Sequence, residues 1–179
     1  MPMAPPELLG VVLAGGRSRR MGRDKALLAF DGGTLLQHQV RLLESLCARV
    51  VVSGAYPGFD CIADARPDAG PLAGLPAAGA EWRGAVLVLP VDMPLMSAEA
   101  LTELVQAVRA AHFEGHTLPA FFPDAAALGA VADSLLAGED RSVRALHRHL
   151  GSRVLPLRDP AAFANANTPA DWRRVTSSP

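Results

Sequence analysis

Short apolar runs alternate with helical patterns over the first 111 residues of the chain. The runs, which are typical of strands covered on both faces, lie at residues 8–14, 50–52, 61–63 and 85–91. Apolar residues at helical spacing predict helices over residues 34–46 and 98–111, with Thr34 and Ser97 as N-caps. Residues 67–80 predict a loop that runs into an alanine-rich helix. This order predicts an α/β fold with a mostly parallel sheet.

The remainder of the chain is less regular. The pattern predicts strands at residues 117–122 and 153–157, helices at 142–150 and 169–175, and either a strand or a helix at 124–136. No internal repeat and no long linker divides the sequence. We therefore expect a single domain over residues 8–175, with a disordered arm at 1–7 and a frayed tail at 176–179.

The amino-acid composition favours a soluble globular protein. Half of the 179 residues are hydrophobic, a fifth are charged and the net charge is −1, which is typical of a soluble globular protein without an extended nucleic-acid-binding face. Cys47 and Cys61 lack zinc-site or disulfide-framework spacing, and we expect both to be small buried residues in a reducing compartment. The chain has no signal-peptide pattern and no long uncharged apolar stretch, so we expect a cytoplasmic protein without a membrane partner.

A basic, glycine-containing segment follows the first predicted strand. Gly15 and Gly16 come directly after the apolar run, and the cations that follow are Arg17, Arg19, Arg20, Arg23 and Lys25, against Asp24 alone. Glycines allow close backbone approach, consecutive amide N–H groups bind anions, and Arg and Lys add charged donors for phosphate oxygens. The segment matches neither the P-loop nor the dinucleotide fingerprint. It predicts a polyphosphate site, although the same sequence also fits an ordinary turn followed by a solvated basic stretch.

Carboxylates and hydroxyls end three further predicted strands. Asp92 follows the most apolar run, and ligands of open α/β sheets bind outside the carboxyl ends of the strands. A carboxylate there suits Mg²⁺, which takes one or two carboxylates together with phosphate oxygens and water. Ser53 and Asp64 end two other runs and point to the same edge, although each of them alone favours a turn residue over a ligand contact. Residues 68–75 combine turn residues with two glycines that permit close approach of a flat ring.

Histidines and nucleophile motifs offer little support for a hydrolase. His147 and His149 are predicted on a helix surface, and neither a metalloprotease motif nor a nucleophile elbow occurs. Nucleotidyl transfer needs no such machinery, because a phosphate monoester with a second pKa of about 6 is itself mostly dianionic at neutral pH. Amides, cations and a metal on Asp92 would suffice to align the reactants and neutralise charge.

These motifs together resemble those of the molybdenum cofactor guanylyltransferases. The matching stretches are LAGG at 13–16, RMGRDK at 20–25, GPLAGL at 70–75, DMP at 92–94 and FANANTP at 163–169, in the family's order. The resemblance implies a three-layer α/β/α, Rossmann-like nucleotidyltransferase domain that joins GMP from GTP to the terminal phosphate of molybdopterin or molybdenum-molybdopterin. The implied partners also include cofactor-donor proteins and molybdoenzyme chaperones.

The resemblance also carries over site residues by position. It implies that GTP is bound by Leu13, Ala14, Gly15, Gly16, Lys25, Ser53, Asp64 and Asp92. It assigns catalytic roles to Arg20, Lys25 and Asp92, the last of which would hold Mg²⁺. Asn165 and Asn167 would face molybdopterin, or they would simply be loop residues before a helix capped by Thr168. Ser53 stands where relatives often have asparagine.

Three alternatives stay open at this point. A cytidylyltransferase for the same cofactor, or a nucleotidyltransferase for a phosphorylated sugar or small acid, would share the fold, although such relatives usually carry LAAG where this chain has LAGG. A GTP-binding adaptor would bind without turnover. RNA binding through residues 17–25 is disfavoured because interleaved aromatic residues and a second basic patch are missing.

Overall fold

The computed structural model describes residues 7–14, 24–66 and 69–176. The strands are β1 (Leu8–Leu13), β2 (Ala29–Phe30), β3 (Gly33–Thr34), β4 (Arg49–Ser53), β5 (Cys61–Ile62), β6 (Ala85–Pro90), β7 (Ala111–Phe113), β8 (Ala120–Phe122) and β9 (Arg153–Leu155). The α-helices are α1 (Leu35–Glu44), α2 (Leu75–Glu81), α3 (Ala98–Val105), α4 (Ala125–Ala137), α5 (Val143–Leu150) and α6 (Pro169–Thr176). Single 3₁₀ turns lie at Lys25–Leu27, Gly70–Gly74 and Pro160–Phe163.

Seven strands form the central sheet in the order β5-β4-β1-β6-β8-β7-β9. The pairs β4–β5, β1–β4, β1–β6 and β7–β9 are parallel, whereas β8 runs antiparallel to both of its neighbours. The mostly parallel sheet is therefore confirmed, and β8 is its antiparallel exception. Because β5, β4, β1 and β6 all run the same way, their carboxyl ends lie at one edge.

Alternation along the central strands buries both faces of the sheet. Val12 on β1 packs in the core beneath α1, α3 and α6, whereas Val11 packs in the core beneath α2 and α4. Both side chains are fully buried. The two cores explain why the strand sequences are continuous apolar runs. They make the three-layer α/β/α architecture that the family resemblance implied.

The predicted helix at residues 98–111 is wrong over its last six residues. Ser97 caps α3 as expected, with its hydroxyl accepting from the N–H of Ala100 at 3.3 Å, but the helix ends at Val105. Val108 has a positive φ of 64°, which is incompatible with a continuing helix, and Ala111 instead begins β7 between β8 and β9. Strand pairing and complete burial of Ala111 override its helical propensity.

Sequence reasoning missed one hairpin and left one element undecided. β2 and β3 are joined by Asp31 and Gly32, both with positive φ, which is the backbone of a tight hairpin turn. The Asp-Gly pair was the available signal. The undecided stretch is helix α4, whose N-cap Asp124 accepts from the N–H of Ala127 at 3.1 Å. Thr34 caps α1 in a full capping box with Gln37, as the pattern predicted.

Helices α2 and α4 touch through their backbones. A Cβ added at Gly79 would lie 2.5 Å from the carbonyl oxygen of Ala125 and 2.6 Å from the Cα of Gly129. Neither position has room for a side chain. The pair of glycines therefore sets the distance between the two helices on this face of the sheet.

Two expectations about single side chains are wrong. His147 is buried, not on the helix surface, since it faces the sheet while His149 lies outside. Cys61 is exposed on the short edge strand β5, whereas Cys47 is half-buried and burial raises the pKa of its thiol to about 12. Both cysteines are free.

Most of the expected arm at 1–7 and tail at 176–179 lies outside the described residues. Of these segments the structure describes Glu7, whose carbonyl accepts from the indole N–H of Trp82 at 3.1 Å, and Thr176, the last residue of α6. No helix within the described ranges is long and apolar enough to cross a membrane.

Candidate active site

The ends of β1, β4 and β6 are joined by backbone hydrogen bonds. The N–H of Ala14 donates to the carbonyl of Ser53 at 3.3 Å, and the N–H of Val91 donates to the carbonyl of Leu13 at 3.1 Å. Residue 92 therefore leaves the sheet beside residue 14. Asp92 and Ala14, the residue before the glycine-containing segment, therefore share one rim of the sheet.

Three polar side chains from distant parts of the chain meet at this rim. The Lys25 ammonium lies 3.3 Å from Oδ2 of Asp92 and donates to Oδ1 of Asn167 at 2.8 Å. The Lys25 and Asp92 side chains are 18% and 21% exposed, so the charges are partly desolvated but open to a ligand. An ion pair in such a setting interacts more strongly than one in open water. We call these three residues the cation cluster.

Hydrogen bonds of the neighbouring residues hold the cation cluster in place. Asp24 caps the 3₁₀ turn that carries Lys25, with its Oδ1 accepting from the N–H of Ala26 at 3.0 Å. The N–H of Ala166 donates to the carbonyl of Asp92 at 2.8 Å, which ties the segment around Asn167 to the end of β6.

Gln39 on α1 fixes the chain on both sides of Asp92. Its amide nitrogen lies 2.7 Å from the carbonyl of Met93 and 3.4 Å from that of Val91, and the side chain is fully buried. Sequence reasoning missed this residue. The available signal was a polar residue at the helical spacing of the apolar stripe, four residues before Leu43.

A second polar pair lies at the ends of β4 and β5. The hydroxyl of Ser53 donates to Oδ1 of Asp64, and Ser53 is buried. Gly74 packs directly against this pair, since a Cβ there would lie 2.2 Å from the Ser53 Oγ. A larger residue at 74 would displace the Ser53 side chain. The 3₁₀ turn Gly70–Gly74 therefore approaches the Ser53–Asp64 pair as closely as a backbone can.

Tyr56 is a further polar contact that sequence reasoning missed. Its hydroxyl lies 3.0 Å from the carbonyl of Ala14 and 3.0 Å from Oδ2 of Asp24. Burial raises the pKa of Tyr56 above its ordinary value, and hydrogen bonding to Asp24 and the negative charges of Asp24 and Asp64 raise it further. The hydroxyl therefore stays protonated and remains a donor.

The sequence is similar to those of known proteins. Residues 10–158 match the family model described as the MobA-like NTP transferase domain. A curated relative from Xanthomonas euvesicatoria, named molybdenum cofactor guanylyltransferase, is 43% identical over 93% of this chain and 93% of its own. The chain belongs to the molybdenum cofactor guanylyltransferase family.

Solved structures share the fold of this guanylyltransferase family member. Molybdopterin-guanine dinucleotide biosynthesis protein A from Archaeoglobus fulgidus superposes with a TM-score of 0.78, covering 93% of this chain and 96% of its own at 21% identity. Rv0371C from Mycobacterium tuberculosis, solved as a complex with manganese, has a TM-score of 0.69 and covers 97% of this chain and 100% of its own at 20% identity. The nucleotidyltransferase fold predicted from the sequence is thereby confirmed.

Of the predicted site residues, the structure brings those it describes to one rim of the sheet in two groups. Lys25, Asp92 and Asn167 form the cation cluster, and Ser53 and Asp64 form the second polar pair, next to the end of β1 at Leu13 and Ala14. Asn165 lies half-buried one residue before Ala166. Gly15, Gly16 and Arg20, together with the rest of the basic stretch at 15–23, lie outside the described residues.

Asp92 is the one carboxylate of the cation cluster. Within the described residues, no three His, Cys, Asp or Glu side chains lie close enough together to form a metal cage. A site with one protein carboxylate fits Mg²⁺, which commonly completes its shell with substrate phosphates and water. The donor chemistry of the rim is therefore compatible with a phosphate-bridged divalent cation.

Proposed function

We propose that the protein transfers GMP from GTP to the terminal phosphate of molybdopterin or molybdenum-molybdopterin, giving the guanine dinucleotide form of the cofactor and pyrophosphate. The observation that carries the proposal is the cation cluster, which brings Lys25, Asp92 and Asn167 together beside the end of β1. Family membership supports the choice of substrates, because the 43% identical relative is named for guanylyl transfer to this cofactor.

The reaction needs alignment and charge neutralisation more than acid–base chemistry. An oxygen of the acceptor phosphate attacks the α-phosphorus of GTP, a new P–O bond forms, and the bond from the α-phosphorus to the bridging oxygen of the β-phosphate breaks. The electron pair leaves on pyrophosphate. Because the attacking phosphate is mostly dianionic at neutral pH, no proton has to be removed first. The protein must hold two anions together and stabilise the charge on the leaving group.

The chain's residues divide this work. We propose that the backbone of Leu13, Ala14, Gly15 and Gly16 binds the nucleotide, with Arg20 and Lys25 donating to phosphate oxygens. Ser53 and Asp64 lie on the side of the nucleoside. Asp92 would hold Mg²⁺, which when bound neutralises phosphate charge.

The acceptor side is proposed at Asn165 and Asn167. Asn167 accepts a hydrogen bond from Lys25 at 2.8 Å, so it stands where the phosphate-binding cation and the acceptor would meet. An amide at this junction can donate its N–H groups to an acceptor phosphate while its oxygen keeps Lys25 in place.

The decisive experiment supplies molybdopterin on a carrier protein together with GTP and Mg²⁺, and measures pyrophosphate and the dinucleotide product. We expect stoichiometric formation of both. Release of pyrophosphate without a dinucleotide would mean hydrolysis, and absence of both products with bound GTP would indicate a nucleotide-binding adaptor. In the adaptor case, Asp92→Ala would leave GTP affinity nearly unchanged.

Base choice is tested separately. Thermal stabilisation with GTP, CTP and ATP, each with Mg²⁺, compares affinities directly, because a ligand that binds only the folded state raises its stability by mass action. We expect the largest shift with GTP. A larger shift with CTP would replace guanylyl by cytidylyl transfer and leave the rest of the mechanism intact.

A further inference from the structure

We propose that Tyr56 is a positioning residue for the reaction: its hydroxyl ties the end of β1 to the residue that caps the Lys25 turn, and so sets the place of the Lys25 ammonium. The catalytic part of this inference rests on the proposed function.

The hydroxyl of Tyr56 has two acceptors, each 3.0 Å away: the carbonyl of Ala14 and Oδ2 of Asp24. A phenol has one proton, so the two acceptors share it. The other oxygen of Asp24 accepts from the N–H of Ala26 at 3.0 Å and caps the turn Lys25–Leu27. Both oxygens of one carboxylate are thereby used, one for the turn and one for Tyr56.

The segment that carries Tyr56 is itself held by several contacts. The N–H of Tyr56 donates to the sulfur of Cys61 at 3.5 Å, that thiol donates back to the Tyr56 carbonyl at 3.4 Å, and the N–H of Phe59 donates to the same carbonyl at 3.2 Å. The ring is half-buried against the core beneath α1. Tyr56 therefore projects from a fixed frame three residues after Ser53, the residue on the nucleoside side.

This arrangement links the nucleoside side to the phosphate side. Ser53 ends β4 and Asp64 lies two residues after β5, and the Tyr56 hydroxyl extends from the connection between these strands to the residue that caps the turn of Lys25. The Lys25 ammonium in turn lies 2.8 Å from Asn167 and 3.3 Å from Asp92. A tilt of the three-residue turn would shift this ammonium, and displacement of a catalytic group by about 1 Å can cost about 10²-fold in rate.

The kinetic test removes only the hydroxyl. Tyr56→Phe should lower kcat for GMP transfer about 10-fold and change KM for GTP less than about 2-fold, because the lost contact places a charge for the transition state and binds no part of the ground-state substrate. Phe59→Leu is the matched control: it trims the same loop without touching the hydroxyl contacts, so it should lower Tm and leave kcat unchanged. In Tyr56→Phe combined with Asp24→Asn, kcat should fall no further than in the worse single variant.

A second readout needs no turnover. The chain contains one tyrosine, so isotope labelling of tyrosine gives a single Cζ signal in an NMR spectrum. This signal should shift in Asp24→Asn, which alters one acceptor, and stay in place in Asp60→Asn, an exposed carboxylate of the same region that pairs with Arg49.

The outcomes separate the two proposals. A Tyr56→Phe enzyme with wild-type kcat, or a kcat loss matched by Phe59→Leu, overturns the positioning role. A Cζ signal insensitive to Asp24→Asn overturns the contact itself. If the wild-type protein transfers no GMP, the proposed function fails and takes the catalytic role of Tyr56 with it, while the NMR experiment still decides whether the hydroxyl joins Asp24.

Discussion

Polar side chains differ in their environment between the two halves of the sheet. At the rim of β1, β4 and β6, polar groups from distant segments contact one another, as Lys25 contacts Asp92 and Asn167 across 67 and 142 positions. On the β8-β7 side, the buried ring of His147 finds the carbonyl of Thr117 and the hydroxyl of Ser152, each at 2.8 Å. The Lys25 and Asp92 side chains remain 18% and 21% exposed at the rim, whereas the His147 ring is enclosed and its pKa is lowered by burial. The polar groups of the rim are thus open to solvent, and His147 is part of the packed core.

The largest expected effect is the loss of catalytic rate when a charged group of the rim is removed. Lys25→Ala should lower the rate of GMP transfer about 10²- to 10³-fold, the loss seen when one preorganised donor to transition-state charge is removed. Lys25 is the only lysine among the 17 Lys and Arg residues of the chain. Pyrophosphate release under saturating GTP measures the effect, and an unchanged rate would remove Lys25 from the mechanism.

A matched control for Lys25 is Arg49→Ala. Arg49 is an exposed cation that pairs with Asp60 at 2.7 Å, at the opposite end of β4 from the rim. Exposed pairs contribute about 0–1 kcal/mol to stability, so this variant should retain both its rate and its fold.

The next largest effect concerns His147 and acid. Burial and, to a smaller extent, the nearby His112 lower the pKa of His147 from 6.5 to about 4, against the opposing hydrogen bond to Thr117. The unfolded chain therefore binds a proton at higher pH than the fold does. The stability that this neutral ring contributes is complete above pH 6.5 and is lost as the pH falls toward about 4, by up to about 3 kcal/mol.

Urea unfolding at a series of pH values measures this loss. His147→Gln keeps a donor and an acceptor but removes the titration, so its free energy of unfolding should depend less on pH through that window. His149→Gln, on the exposed face of the same helix, should keep the wild-type dependence. Equal slopes for the two variants would contradict the assignment.

A smaller effect is expected where packing alone matters. Gly79→Ala should lower the free energy of unfolding by about 1–3 kcal/mol, because its Cβ would collide with the backbone of α4 at 2.5 Å. The kcat per folded molecule should stay unchanged, since the helix contact lies away from the rim. Gly138→Ala, whose Cβ would find no atom closer than 3.6 Å, is the control and should unfold like wild type. Chemical denaturation of the pair decides the point.

The smallest effect on function is expected from a change in the Ser53–Asp64 pair. Ser53→Ala removes the hydrogen bond to Asp64 while leaving room for the ligand, and should raise KM for GTP about 5-fold, equivalent to about 1 kcal/mol. Ser45→Ala, which loses an exposed hydroxyl contact to the Leu42 carbonyl, is the control. A loss of kcat at constant KM in Ser53→Ala would move this residue from nucleoside binding to the chemistry.

The sequence alone determined the layers and the rim. Continuous apolar runs specify strands buried on both faces, so the positions where they end, at Ala14, Ser53, Asp64 and Asp92, specify which polar groups share an edge. Local rules also predicted the caps at Thr34 and Ser97, because those hydrogen bonds join residues three apart.

Only the tertiary structure decided which side chains meet. Helical spacing places Gln39 on the buried stripe of its helix but does not identify the carbonyl of Met93 as its partner. Nothing local shows that the Tyr56 hydroxyl reaches Asp24 or that Asn167 touches Lys25, since each contact joins segments far apart in the chain. The same holds for the end of α3 and the burial of His147, where strand pairing and core packing outweigh local propensity. Periodicity predicts whether a residue is buried or exposed, whereas long-range contacts depend on how the helices and the sheet pack against each other.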